Sequence, residues 1–138
     1  MAEADFEPLL DLSIRVLRDD LVRLGRFDPE RRRHRMRDGF DPAAMRAIEA
    51  PDGRLLGCIA VAAAADHVEL HGFYLEPAAQ GRGLGAAVLA AVRAGLPALP
   101  IRIEVLRGSR ARRFWEGQGF RFVEAQDFDD VLEHPGGR

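Results

Sequence analysis

The sequence predicts a mixed α/β layer fold. Three observations support this prediction: two helical segments open the chain, three strand-like segments follow, and helix and strand patterns then alternate. The 138 residues match the usual length of one domain, and 47% of them are hydrophobic, which suffices for one core. We therefore expect residues 1–138 to form a single domain.

The first two helices are predicted from periodicity and capping residues. Over residues 6–24, leucine and valine recur at spacings of three and four, and Gly25 follows as a stop. Asp28 then precedes Pro29, which is the order expected of an N-cap and the first helical residue. The sequence therefore predicts a second, short helix over residues 29–38.

The middle of the chain changes to strand patterns. Apolar residues separated by short turns predict strands over residues 45–50, 55–63 and 68–75. The second of these segments is mostly apolar, which favours a position inside a sheet.

In the C-terminal half, helical and strand patterns alternate. The predicted order is helix, strand, helix, strand, over residues 82–94, 101–105, 109–118 and 120–124. Ser109 is expected to cap the second of these helices. The tail over 125–138 is acidic and then rich in proline and glycine, so we expect its end to fray.

Composition excludes several classes of protein. A net charge of −2 argues against a general nucleic-acid or membrane-surface binder, and one cysteine leaves no internal disulfide. Every Lys+Arg position is arginine, which excludes lysine-dependent phosphate loops and Schiff bases. Apolar runs are too short for a membrane helix, and the acidic N-terminus lacks a signal peptide's cationic start. We expect a cytoplasmic protein without a metal, because the four histidines have no ligand-like spacing.

The most informative segment is a glycine-rich turn. Gly81, Gly83 and Gly85 alternate at the start of a predicted helix, shortly after a strand. Glycines let the backbone turn tightly, and the first amides of a helix lack partners inside it. Together with the helix dipole and the charge of Arg82, these amides predict a phosphate or pyrophosphate site.

Two phosphate interpretations compete at this turn. Gly81, Gly83 and Ala86 match the dinucleotide fingerprint, and Glu104 follows about 20 residues later, where its ribose-binding acid is expected. Against this interpretation, the loop that follows Leu75 is long, and the chain is short for a dinucleotide fold plus a substrate domain.

The alternative is a resemblance to a family. The segment 80–85 resembles the Gln/Arg-x-x-Gly-x-Gly/Ala signature of the GCN5-related N-acetyltransferase (GNAT) family, and 73–77 resembles the end of that family's fourth strand. The segment 108–120 is similar to its second sequence block, so the strong matches cover residues 68–123.

The resemblance implies a particular fold and a sheet with an exposed edge strand. The implied fold is a mixed, mostly antiparallel sheet flanked by helices. The family begins with a strand, whereas this chain starts almost at the helix that begins at Phe6, so the first strand is expected to be missing. The sheet would then expose an edge that invites pairing with a second copy.

The resemblance also implies an activity, namely acetyl-CoA-dependent transfer of an acetyl group directly to an amine of an unknown acceptor. Amides of the glycine turn would bind the pyrophosphate, and the backbone at Phe73 and Leu75 would pair with the pantetheine arm. A strand amide near Leu75 would polarise the thioester carbonyl in the gap between two splayed strands. The implied cofactor-binding residues are Phe73, Leu75, Gln80, Gly81, Arg82, Gly83, Leu84, Gly85, Ala86, Ser109 and Trp115.

Two side chains are candidates for the general base. Glu69 and His71 lie two residues apart on a predicted strand and therefore share one face. The family often carries a glutamate four residues before the Leu75 position, and that position is His71 here. An imidazole or a carboxylate can accept the proton of an ammonium, directly or through water.

The acid position departs from the family. Trp115 stands where the family commonly has a tyrosine that protonates the leaving thiolate, and an indole N–H is not a usable acid. The thiolate then leaves unassisted or through water, or Ser109 or Tyr74 donates the proton, or the protein is a catalytically weak acyl-CoA sensor. Core packing is the simpler role for Trp115.

A basic run follows the first helix. Residues 31–37 contain five arginines and one histidine, which is typical of a solvated face, and we expect them to pair with the acidic tail. In the resembled family this segment often walls the acceptor site, which implies that an acidic acceptor is compatible with it.

Overall fold

A computed structural model describes residues 1–136 of the chain. Within these residues the chain forms four α-helices and six strands. The helices are α1 Phe6–Arg23, α2 Pro29–Gly39, α3 Leu84–Ala94 and α4 Ala111–Gly117. The strands are β1 Met45–Glu49, β2 Leu55–Ala63, β3 Val68–Leu75, β4 Ile101–Leu106, β5 Arg121–Ala125 and β6 Asp129–His134. Short 3-10 helices span Glu3–Asp5 and Pro77–Ala79.

The strands form one mixed sheet in the order β1-β2-β3-β4-β6-β5. The pairs β1/β2, β4/β6 and β5/β6 are antiparallel, whereas β3 and β4 pair in parallel at Val68↔Ile101 and Glu69↔Arg102. The predicted α/β class and the mostly antiparallel sheet are confirmed. In the described chain no strand precedes α1.

The sequence predicts no strand in the acidic part of the tail, but Asp129–His134 form β6 and pair with both β4 and β5. The error has a physical cause, because charged residues flank the only two apolar positions of this strand, Val131 and Leu132. Asp130 is nevertheless buried, since its carboxylate accepts a hydrogen bond from Arg112 Nη1 at 3.1 Å. Residues 137–138 of the predicted tail lie outside the described residues.

Two predicted helix starts also need correction. Helix α3 begins at Leu84 rather than at residue 82, because Gly83 has a φ of +79°, outside the right-handed helical region. Helix α4 begins at Ala111, and the residue before it is Arg110, so Ser109 does not cap it. The Asp28 cap of α2 is confirmed, with its carboxylate accepting from the amides of Glu30 and Arg31 at 3.0 and 3.3 Å.

The described chain divides into two compact units, one formed by residues 1–60 and 72–82 and the other by 61–71 and 83–136. In the first unit, α1 and α2 bury their apolar side chains against β1 and β2. The core residues of this unit are Phe6, Leu9, Leu10, Leu12, Met36, Met45, Cys58 and Ala60. Phe6 packs edge-on against Phe40 with ring centroids 5.3 Å apart.

Cys58 lies at the centre of this first core, on β2. It is 0% exposed, and its thiol donates to the carbonyl oxygen of Gly72 at 3.0 Å. Burial raises the pKa of Cys58 to about 12. The neighbouring Gly57 must lack a side chain, because a Cβ there would overlap the carbonyl oxygen of Tyr74.

The second unit buries alternate residues of β4, namely Ile101, Ile103 and Val105, as the alternating sequence predicts. An aromatic cluster adds to this core, in which Trp115 lies edge-on to Phe120 at 5.0 Å. No helix in residues 1–136 is long and apolar enough to cross a membrane.

Candidate functional site

The first half of β3 presents both base candidates to solvent. Val68 and Leu70 are buried, whereas the alternate residues Glu69 and His71 are exposed. Glu69 and His71 therefore lie on the same face of the strand, as predicted. Within the part of the chain that the structure describes, the His71 side chain has no hydrogen-bond partner. Its ring nitrogens are therefore available to a ligand.

Glu69 is held by a neighbouring histidine. The ring of His67 lies between two carboxylates, with Nδ1 2.7 Å from Asp66 Oδ1 and Nε2 3.2 Å from Glu69 Oε1. The hydrogen bond with Asp66, followed by the one with Glu69, raises the pKa of His67. The same contact with His67 lowers the pKa of Asp66. Glu69 is thus already engaged, whereas His71 is not.

Gly72 interrupts the extended backbone of β3. Its φ is +57°, a left-handed conformation that glycine adopts without steric cost. The residues after it, Phe73, Tyr74 and Leu75, are all half-buried, whereas buried and exposed residues alternate before it. The sequence predicts an ordinary strand at this point, so the break is a feature that it does not reveal.

Tyr74 is fixed by a contact from α2. Its phenol oxygen accepts a hydrogen bond from Arg32 Nη2 at 3.3 Å, and its ring packs against the core of the first unit. Burial raises the pKa of Tyr74, while the nearby charge of Arg32 opposes that shift. Tyr74 is therefore a protonated phenol at neutral pH.

The loop after β3 is closed by a side chain. Gln80 Nε2 donates to the carbonyl oxygen of Leu75 at 2.9 Å. Inside the loop, the amide of Ala79 donates to Glu76 O at 2.8 Å, and the amide of Gln80 donates to Pro77 O at 3.2 Å. These bonds set the position from which the glycine turn leaves the end of β3.

The glycine turn is open. Gly81 and Gly83 have φ values of +76° and +79°, and a Cβ at either would meet no atom within 4 Å. Arg82 lies exposed between them, and Gly83 is the N-cap of α3. The 11-residue helix therefore begins with unpartnered amides next to space that no protein atom fills, as an anionic group requires.

Ser109 and Trp115 lie in different surroundings. Ser109 Oγ is buried and has no hydrogen-bond partner among the described residues, although buried hydroxyls are usually paired. Trp115 is 3% exposed and lies edge-on to Phe114 and Phe120, at 5.1 and 5.0 Å. These contacts support the packing interpretation of Trp115.

The basic run on α2 pairs with the N-terminal segment rather than with the predicted tail. Arg33 Nη2 lies 3.0 Å from Glu7 Oε2, and Arg37 Nη1 lies 2.6 Å from Glu3 Oε1. Arg32 differs, because its partner is the Tyr74 phenol. Sequence reasoning missed Arg32, since nothing in a run of arginines tells which of them reaches β3.

A shallow cavity of about 380 Å³ lies within the first unit and has three carboxylates in its lining. Two of these are already paired, Glu7 with Arg33 and Glu76 with Arg15. Asp11 is the third. Among residues 1–136, no group of three or more His, Cys, Asp or Glu side chains is arranged to hold a metal ion.

Comparison with known proteins identifies the family. Residues 46–122, more than half of the chain, match the family described as the acetyltransferase (GNAT) domain. The chain therefore belongs to the GNAT acetyltransferase family. No curated protein matches the sequence.

Solved structures share this fold at low identity. An acetyltransferase from Thermus thermophilus is 22% identical, with a TM-score of 0.72, covering 98% of this chain and 93% of that one. PaiA N-acetyltransferase from Thermoplasma acidophilum, in complex with coenzyme A, is 19% identical with a TM-score of 0.70, covering 97% and 94%. A Corynebacterium glutamicum protein described as histone acetyltransferase HPA2 and related acetyltransferase has the same identity of 19% and TM-score of 0.70, covering 100% and 94%.

Proposed function

We propose that the protein is an acetyl-CoA-dependent N-acetyltransferase that transfers an acetyl group directly to an amine of a small molecule or peptide. The observation that carries the proposal is the open turn at Gly81 and Gly83 ahead of α3. Membership of the GNAT family supports it, as does the structural likeness to an N-acetyltransferase in complex with coenzyme A.

The pyrophosphate subsite is the glycine turn. Backbone amides at Gly81, Gly83, Gly85 and Ala86 donate to the phosphate oxygens, and the positive end of the helix dipole adds to their attraction. The exposed guanidinium of Arg82 supplies a full charge. The fit is supported by the absence of any atom within 4 Å of a Cβ at either Gly81 or Gly83.

The pantetheine arm is assigned to the end of β3. The backbone at Phe73 and Leu75 pairs with its amides as an added strand would. The Leu75 amide then donates to the thioester carbonyl oxygen, where negative charge develops during attack.

By the family resemblance, Ser109 is a further candidate contact for the cofactor. Its buried hydroxyl has no partner among residues 1–136, and a pantetheine amide would supply one.

The chemistry assigned to the chain is positioning and proton transfer. His71 or Glu69 takes a proton from the ammonium of the acceptor. The freed nitrogen attacks the thioester carbon, so that a C–N bond forms and the C–S bond breaks. The nitrogen then releases a second proton to water, which leaves the neutral amide. The departing thiolate takes a proton from water, Ser109 or Tyr74, of which Tyr74 is a protonated phenol at neutral pH.

Ligand-dependent thermal unfolding tests the cofactor site. Acetyl-CoA should raise the Tm, since a ligand that binds only the folded state stabilises it. Gly83→Asp should abolish that shift, because it places a carboxylate where phosphate binds. Gly53→Asp is the matched control, since Gly53 also has a positive φ of +89° and open space around it. Stabilisation by NADH but not by CoA would instead support the dinucleotide interpretation.

A turnover assay distinguishes an acetyltransferase from an acyl-CoA sensor. The buried Trp115 at the acid position is the observation that favours a catalytically weak acyl-CoA sensor. A panel of amines should show acceptor-dependent release of CoA. Stabilisation by acetyl-CoA without acetylation of any amine would establish the sensor instead.

A further inference from the structure

Arg32 is distinguished from the other arginines of α2 by its partners. Arg33 and Arg37 point to carboxylates of the N-terminal segment. Arg32 instead donates to the neutral phenol of Tyr74, and in the described part of the chain it forms no ion pair. Its positive charge is therefore left without a counter-ion.

The guanidinium of Arg32 is also partly desolvated. Its Nε is buried and has no hydrogen-bond partner among the described residues, although the residue as a whole keeps exposed surface. Arginine stays protonated in proteins, so this buried N–H cannot be relieved by losing the proton. A partly desolvated cation without an anion is costly, which points to an anionic ligand at the part of the Arg32 side chain that stays exposed.

Tyr74 supplies a second donor beside the first. Because the phenol oxygen accepts from Arg32, the Tyr74 hydroxyl hydrogen remains available to an acceptor. When a bound anion accepts it, the thiolate takes its proton from water or Ser109. Tyr74 directly precedes Leu75, whose amide we assign to the thioester carbonyl. An anion at Arg32 would therefore lie beside the strand residue next to the reacting group.

We propose that Arg32 binds a carboxylate of the acceptor, so that the substrate class is an amine that also carries a carboxylate, such as an amino acid. The inference rests on the proposed acetyl-transfer function. A planar guanidinium matches a carboxylate with two parallel hydrogen bonds, which a point charge cannot do. The acceptor is thereby oriented by its acid group, and its amine is the part presented to the thioester.

The test compares amino acids with their carboxamides as acceptors, because the two have similar shapes and only the acid carries the negative charge. With the wild-type protein, kcat/KM should be about 10- to 100-fold higher for the acids, the range expected of a hydrogen-bonded charge. Arg32→Gln should raise KM for the acids by a similar factor and leave the amides unchanged. Arg32→Lys keeps the charge and should recover only part of the difference.

Arg31→Gln is the matched control, since it removes one charge from an exposed neighbouring position. It should change neither substrate class. Thermal unfolding of each variant separates binding from folding. If Arg32→Gln lowers kcat equally for acids and amides, Arg32 only supports β3 and the inference is wrong.

Calorimetric titration of the protein with the same amino acids and carboxamides, in the presence of CoA, measures binding without turnover. Preferential binding of acids that Arg32→Gln removes supports the inference even if no acetyl group is transferred, in which case the proposed function alone fails. Equal binding of acids and amides overturns the inference, as does a preference for amines that carry phosphate.

Discussion

Glu69 and His71 project from the same side of β3, yet their surroundings differ. Glu69 is hydrogen-bonded to His67 at 3.2 Å, whereas the His71 side chain has no partner among residues 1–136. A base must accept a proton, and the Glu69 carboxylate would have to break its contact with His67 to do so, whereas His71 breaks none. The difference favours His71 as the base.

His71→Ala should therefore reduce kcat by about 10²–10⁴-fold, the usual contribution of a positioned base. Because His71 is exposed, the free energy of unfolding should change by less than about 0.5 kcal/mol. Steady-state acetylation and urea unfolding measure the two effects. Glu69→Gln is the control on the same face, and a larger loss in that variant would transfer the role to Glu69.

Two histidines of the second unit give opposite pH dependences. The pKa of His67 is raised by its hydrogen bond to Asp66 and then by that to Glu69, so its protonated form stabilises the fold. This contribution is complete below the unfolded pKa of about 6.5 and is lost as pH rises through the raised pKa. The pKa of His134 is lowered by burial, so its contribution is present above about 6.5 and is lost as pH falls through the lowered pKa.

We expect His67→Gln to flatten the decline of Tm above about pH 6.5, and His134→Gln to flatten the decline below it. Thermal unfolding between about pH 5 and 9 gives both slopes. The slopes rather than the Tm values are compared, because His134 also packs against Phe120, with ring centroids 5.3 Å apart. If the slope of Tm against pH in a variant equals that of the wild-type protein, the substituted histidine does not cause the pH dependence.

Candidate site residues can be proposed from the sequence where they are contiguous. The glycine turn can be predicted because the positive φ of Gly81 and Gly83 and the helix that starts at Leu84 depend on residues that are neighbours in the sequence. Arg32 and Tyr74 are 42 positions apart, and no local pattern joins them. The positive φ of Gly72 was equally hidden, since a glycine within a strand pattern is compatible with either conformation.

Helix α2 depends on its first turn. The Asp28 carboxylate accepts from two backbone amides of that turn, and Met36 is the one residue of the helix that is buried. Asp28→Ala should cost about 1 kcal/mol of unfolding free energy, the usual value of an N-cap. The midpoint of urea unfolding measures this loss.

Asp28→Asn is the control, because the amide oxygen still caps the helix while the charge is removed. It should retain nearly all of the wild-type stability. If the asparagine and alanine variants are equally destabilised, the interaction of the charge with the helix dipole accounts for the effect, and the cap does not.

The bounds of a strand are predicted closely where its apolar pattern and the turns around it are clear in the sequence. The bounds of β2 and β3 agree with the sequence prediction, since turn residues flank both apolar segments. Strand β6 was missed because Asp129, Asp130, Glu133 and His134 obscure its alternation. Asp130 is paired with Arg112, and Glu133 is paired with Arg102. These ion pairs make the two charges compatible with an inner strand.

At the scale of the molecule, the sheet ends in two edge strands, β1 and β5. Exposed edges offer unpaired backbone groups to another chain, and β5 also carries Phe122 and Val123, which are 46% and 47% exposed. Pairing of a second copy at a sheet edge stays a prediction. The fold class itself was predictable, because it depends on the order of elements and on two family motifs rather than on any single contact.

Because Cys58 is buried, the folded protein should not react with thiol reagents. Only the thiolate reacts with alkylating agents and aromatic disulfides, and a thiol with a pKa of about 12 at 0% exposure supplies almost none at neutral pH. Since the one cysteine of the chain is buried, a thiol detected while the protein stays folded in a mixture with acetyl-CoA and amine comes from released CoA. In the absence of acetyl-CoA, the same reagent reports how often the first core opens, because Cys58 reacts only when its surroundings come apart.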